Sequence, residues 1–139
     1  MNKYVIIVIL MVLVLGGGYA VKVFKAKSPT TAVEPTGRRV DLTLIAKKDA
    51  WRFEPEDMKI NAGDKVIMEV INEDDYDHGL AIDGYGISQR MPALSKITIE
   101  FIASRRGRFS FYCSVPCGKG VVNGQERDHF DMVGFIDVE

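Results

Sequence analysis

Cysteine and histidine each occur only twice in this chain of 139 residues, and tryptophan once. Such scarcity excludes a disulfide-dense scaffold. The familiar catalytic and nucleotide-binding signatures are missing as well: there is no G-x-S-x-G, no Walker loop and no H-E-x-x-H. A basic excess is also absent. Eighteen lysines and arginines face nineteen aspartates and glutamates, and four of the basic residues but none of the acidic ones fall within residues 1–27. The remainder carries fourteen against nineteen, a net −5, so it offers no basic face to nucleic acid. It suits a soluble domain able to meet a basic protein. Beyond residue 27 no ten-residue stretch shows a helical period, which leaves strands.

What is present begins with YVIIVILMVLVL, residues 4–15, an apolar run that GGGYAV extends to Val21. Its eighteen uncharged residues, as a helix, reach about 27 Å, close to the thickness of a bilayer's hydrocarbon core. The run reads as a single transmembrane anchor, or as a signal peptide cut after Ala20 with Gly18 and Ala20 as the small residues. Lys22, Lys25 and Lys27 follow it and oppose the simplest positive-inside orientation. The very short N-terminal tail, and the exported character of the site below, place the domain on the extracytoplasmic (periplasmic) side of the cytoplasmic membrane.

Residues 22–39 form a linker, rich in Pro, Thr and Ser over SPTTAVEPTGRR. A domain over 40–139 follows. VDLTLIA (40–46), KVIMEVI (65–71), KITIEFI (96–102), RFSFY (108–112) and VGFIDV (133–138) read as strands, separated by NAGD, IDGYG, SRRG and VNG turns. The expected fold class is all-β, a Greek-key β-sandwich.

Soft ligands gather at the end of the chain. CSVPCGKGVVNGQERDHFDM, residues 113–132, holds both cysteines, His129 and Met132, and His78 stands alone in DYDHGL. Thiolate, imidazole and thioether suit copper, with a Cys₂His₂ zinc site as competitor. A Cys113–Cys117 disulfide is a further reading, as C-x-x-x-C spacing allows one. A nucleophile pair of either cysteine with His78 lacks an orienting group and an oxyanion loop. The acidic run EDDYD at 73–77 lacks the alternation and glycine of a calcium loop, and reads as a solvated turn.

Several segments together resemble a known family. FEPEDMKINAGDKV (53–66) resembles the opening of a cupredoxin, and DYDHGL its D-x-x-H segment. CSVPCG resembles C-S-x-x-C-G, and HFDMVGFIDV resembles H-x-x-M-x-G-x-I-x-V, of the binuclear copper A domain in cytochrome c oxidase subunit II and nitrous oxide reductase. The resemblance implies two bridging thiolates, Cys113 and Cys117, between two copper ions. It implies one imidazole, His78 or His129, for each ion, with Met132 and the backbone carbonyl of Val115 as weak ligands. Trp51 would be where a cytochrome c delivers electrons bound for a terminal oxidase; its plain alternative is a half-buried sandwich aromatic. The chain departs from the family between Cys117 and His129. Eleven residues intervene where the family has three, and Val121 stands at the family's histidine position. An eight-residue insertion turning at Asn123-Gly124 accounts for this. A mononuclear copper carrier, a copper-delivery protein for oxidase assembly and a metal-free disulfide domain remain as alternatives. No catalysis is expected from this chain alone.

Overall fold

The structure, a computed structural model, describes residues 32–139. The apolar run, with the anchor or signal peptide expected there, and the first part of the linker lie outside the described residues.

Eleven strands make the all-β sandwich that the alternating segments predict. β1 (Arg39–Ala46), β2 (Phe53–Glu54), β4 (Lys65–Asn72) and β7 (Lys96–Ile102) form one sheet in the order β2-β1-β4-β7. β3 (Asp57–Ile60), β5 (His78–Ile82), β6 (Ile87–Met91), β8 (Gly107–Tyr112) and β11 (Val133–Val138) form the other, in the order β3-β11-β8-β5-β6. β9 (Lys119–Val122) and β10 (Gln125–Asp128) stand apart as a two-stranded hairpin. The helical elements among the described residues are two single 3₁₀ turns, Asp83–Tyr85 and His129–Asp131.

Period-two patterning fixes the faces. In β4, Val66, Met68 and Val70 are fully buried and alternate with partly exposed Ile67, Glu69 and Ile71. They meet Phe53, Phe111 and Ile136 in the core, where Phe53 and Phe111 pack edge to face with ring centroids 5.6 Å apart. Each fully buried side chain of this size contributes about 1.5–3 kcal/mol. β5 breaks the pattern: all five of its residues are buried, with β6 and β8 on either side and the Ser114–Val115 segment against Gly79.

The far end of the sandwich is tied by one buried carboxylate. Asp64 is 1% exposed and accepts from Arg38 through both oxygens, at 2.8 and 2.6 Å, and from the Asn61 backbone N–H at 3.0 Å. Residues before β1 belong to this packing: Val33 N–H donates to Ser104 O at 2.9 Å and Thr36 N–H to Gly63 O at 2.8 Å.

The Arg38 hydrogen bond holds the Asp64 carboxyl below its ordinary value, against the opposing effect of burial. A depressed folded-state pKa stabilises above the unfolded value, about 3.9, and that stabilisation is lost as pH falls through the lower folded value. Asp64→Asn is therefore expected to lower the guanidinium midpoint at pH 7, with the gap to wild type narrowing below about pH 4. A gap independent of pH would contradict this role.

Candidate metal centre

Three adjacent strands of the five-stranded sheet deliver the donors. His78 is the first residue of β5, Cys113 follows the last residue of β8, and Met132 precedes the first residue of β11. The Cys113 N–H donates to Met132 O at 3.0 Å, extending the β8–β11 ladder to the ligands themselves. The 113–117 loop then turns back and sets Cys117 beside them. Gly79 permits that approach: a Cβ there would lie 2.4 Å from Ser114 Oγ and 2.9 Å from a Val115 methyl.

The donors face one another. Cys113 Sγ lies 3.7 Å from His78 Nδ1, 3.8 Å from Cys117 Sγ and 3.2 Å from the Val115 carbonyl oxygen. Cys117 Sγ lies 3.7 Å from Met132 Sδ. One ligand atom from each of His78, Cys113 and Cys117 lies within 4.8 Å of the other two. His78 and Met132 are fully buried, and both thiols are free. The order across the site is thus imidazole, thiol, thiol, thioether, all turned inward. Soft donors in that arrangement, shielded from water, fit a soft metal ion.

A buried carboxylate orients the imidazole. His78 Nε2–H donates to Asp74 Oδ2 at 2.7 Å, which leaves Nδ1 with a lone pair aimed at the thiols. Asp74 is 1% exposed, not a solvated turn residue as the acidic run predicts. Its other oxygen accepts from Asp49 N–H at 2.7 Å, its own N–H donates to Asn72 Oδ1 at 3.0 Å, and its carbonyl accepts from Leu94 N–H at 2.8 Å. Burial disfavours a charged His78, but hydrogen bonds to Cys113 and Asp74 outweigh it and hold the pKa above its ordinary value. Within the thiol pair, Cys113 is the one held low, chiefly by its hydrogen bond with Cys117 and then by His78. Cys117 is pushed up by the same neighbour and by burial.

The inserted segment closes on itself. β9 and β10 pair in register from Lys119↔Asp128 to Val122↔Gln125, and Asn123 and Gly124 turn between them with φ of 50° and 79°. Both central residues in the left-handed region make this the turn that matches strand twist. Pairing of Lys119 with Asp128 brings the two ends of the excursion together, so the path from Cys117 to His129 is short in space although eleven residues long. Val121, at the position where the family has histidine, points into solvent at 72% exposure.

His129 opens the second 3₁₀ turn, which Asp128 caps by accepting from Phe130 N–H at 2.8 Å. Its ring packs at a tilt against Phe130, centroids 3.8 Å apart. It lines a cavity of about 490 Å³ together with Cys113, Pro116, Phe130 and Val133. His129 therefore borders the site from the outer side, apart from the tight group formed by His78 and the thiols.

Trp51 connects to the donors in two ways. Its Nε1–H donates to Cys117 O at 3.4 Å, and its ring stacks on Tyr76, which in turn packs on His78; the centroid separations are 6.3 and 5.1 Å. The hairpin rests on the same indole. A Cβ on Gly120 would meet Trp51 Cη2 at 2.3 Å, so only glycine lets β9 lie flat there. Sequence reasoning placed Trp51 near the site through resemblance alone; Asp74 and Tyr76 it missed, since neither residue type nor spacing separates them from a solvated acidic turn.

Comparison with known proteins settles the family. Residues 7–122 match the cupredoxin-like domain. This chain belongs to that family. It is 26% identical over 106 residues to the nitrous-oxide reductase of Stutzerimonas stutzeri, an alignment that covers 74% of this chain and 15% of the reductase. A chain from the structure of a heme-copper terminal oxidase dimer superposes with a TM-score of 0.60 at 20% identity, covering 99% of this chain and 100% of that one. Auracyanin A, a "blue" copper protein from Chloroflexus aurantiacus, superposes with a TM-score of 0.57 at 14% identity, covering 73% of this chain and 99% of that one.

Because Asp74 fixes the ring that His78 presents, Asp74→Leu is expected to weaken copper binding about 10–100-fold in competition with a chromophoric chelator. Asp74→Asn, whose amide oxygen still accepts from Nε2–H, should lose much less. Equal affinity in all three proteins would contradict the positioning role.

Proposed function

We propose that this chain is a membrane-tethered copper protein that relays single electrons from a cytochrome c toward a terminal oxidase, through a centre of two copper ions. The observation that carries the reading is the pair of inward-facing thiols, 3.8 Å apart, with an imidazole beyond one and a thioether beyond the other. Two sulfurs so placed suit a shared pair of ions better than a single ion, for which one cysteine would be spare. His78 would hold one copper, with the Val115 carbonyl near Cys113, while Met132 adds a thioether beside Cys117. His129, at the outer rim and delivered by the closed hairpin, is the second imidazole. Bound copper would supply one-electron redox chemistry. The rest is done by the chain: burial shields His78 and Met132 from water, and the β8–β11 ladder and the Asp74 bond hold donor positions constant.

The relatives support the same direction. The alignment with a nitrous-oxide reductase, and the full-length superposition on a chain of a heme-copper terminal oxidase structure, both favour a partner in respiration. Trp51, half-buried and in contact with Tyr76 and the Cys117 carbonyl, is the proposed point where electrons enter. Burial, and then the Asp74 charge, push the Tyr76 phenol well above its ordinary value, so the bridging ring stays neutral. The apolar run at 4–21 is the proposed tether, with the domain on the extracytoplasmic side.

Voltammetry on the copper-loaded full chain distinguishes a carrier from a delivery protein. A carrier is expected to give a reversible one-electron wave that survives repeated cycling, and to be reduced by ferrocytochrome c. Loss of copper to a chelator on reduction, without a reversible wave, would contradict electron relay and favour metal delivery.

A further inference from the structure

The basic residues of the domain are almost all paired, and two of the three exceptions are neighbours. Of the fourteen arginines and lysines among the described residues, eleven have a carboxylate within 4.0 Å. That leaves Lys48, Arg105 and Arg106. Lys48 lies at the metal end, where its backbone N–H donates to Glu73 Oε2 at 3.4 Å. Arg105 and Arg106 are neighbours in the turn between β7 and β8, at the start of the strand whose other end carries Cys113. Six residues of β8 span roughly 20 Å, so this turn and the thiols occupy opposite ends of the sandwich.

The diarginine turn has no carboxylate partner on a domain of net charge −5, and its local construction is defined. The Tyr85 hydroxyl donates to Arg105 O at 3.1 Å, fixing the turn's backbone. The Arg105 guanidinium lies over the rings of Tyr85 and Phe109, 5.8 and 5.4 Å from their centroids, and Arg106 is exposed. Tyr85 also packs on Phe101 and Phe109, with centroids 4.8 and 5.0 Å away. Half-buried aromatics under a cationic rim are the composition that settles at a lipid headgroup layer.

The chain's path supplies the occupant. The described residues begin at Ala32, and Val33 N–H donates to Ser104 O, the residue next to Arg105. Ten residues separate Val21, the end of the apolar run, from Ala32, and they include Lys22, Lys25 and Lys27. The described part of the incoming segment thus starts beside the diarginine turn. Glu34, the acidic residue of the incoming segment, makes no ion pair with either arginine among the described residues. We propose that the Ser104–Gly107 turn, with Arg105 and Arg106 over the Tyr85–Phe109 rings, is a docking surface for the headgroups of anionic phospholipids. This rests on the tether reading above. Docking there turns the opposite, ligand-bearing end away from the bilayer, toward a soluble electron donor.

The test uses the full chain in nanodiscs of phosphatidylcholine alone, or with one quarter phosphatidylglycerol, each doped with a gadolinium-chelating lipid. The readout is paramagnetic relaxation of the arginine amides, with the chain labelled on arginine nitrogen. Docking is expected to give the largest enhancement at Arg105 and Arg106, several-fold greater in anionic than in neutral discs. Arg105→Glu with Arg106→Glu should lower the docked population by at least about fivefold per arginine, while other arginine resonances stay in place. High salt should act in the same direction. A chain that stays with the discs but shows equal enhancement in both lipids, or its maximum at Arg127 in the hairpin, would overturn the proposal and leave the tether standing. A chain that does not co-purify with discs would overturn both.

Discussion

Asp74 is nearly fully buried at the donor-bearing end of the sandwich, and two loops distant in sequence, with His78 and Asn72, end hydrogen bonds on it. The imidazole of His78 donates to one oxygen and the backbone of the 47–51 loop to the other. Its carbonyl accepts from the loop after β6 and its N–H donates to Asn72, whose side chain in turn donates to Tyr76 O, Met91 O and Pro92 O. A buried carboxylate is costly unless each lone pair is used, and here the partners that satisfy it are the segments that carry His78 and Trp51. Removing the carboxylate would loosen the metal ligand and the aromatic contact at once, because one group restrains both.

Rigidity at that node matters because the ligand loop is longer than the family's pattern. A longer loop costs little closure entropy, since that grows only as the logarithm of length, but it does not by itself place its far end. Two features compensate here. The β9–β10 ladder brings Lys119 and Asp128 together, and Gly120 lies flat on the Trp51 indole, so the excursion has a seat on the domain. The hairpin also covers part of Trp51, the residue proposed to admit electrons. An electron donor docking at that ring, as proposed, would meet β9 as well.

Much of this was legible in the sequence, for reasons that differ by element. β1, β4, β7, β8 and β11 alternate or carry β-branched and aromatic runs, and their positions match the structure to within one residue. The Asn123-Gly124 turn was legible because few other residue pairs tolerate both positive φ values. β5 was not: HGLAI is buried throughout, so no alternation marks it. β9 and β10 (KGVV and QERD) carry no apolar face that a core would demand, and they exist because the turn pairs them. In the ligand set, residue type and the family's spacing identified His78, Cys113, Cys117 and Met132 as candidates, and the fold brings these four side by side. Asp74 stayed hidden because burial of a carboxylate depends on contacts from loops distant in sequence, which a local acidic run does not reveal.

The central claim is that two thiolates held face to face by this frame bind a pair of copper ions. It is tested most directly by the copper-to-protein ratio of the purified, copper-loaded full chain, with the EPR spectrum of the same sample. The account requires two coppers per chain and an unpaired electron whose hyperfine splitting comes from both nuclei. One copper per chain, with splitting from a single nucleus, would contradict it.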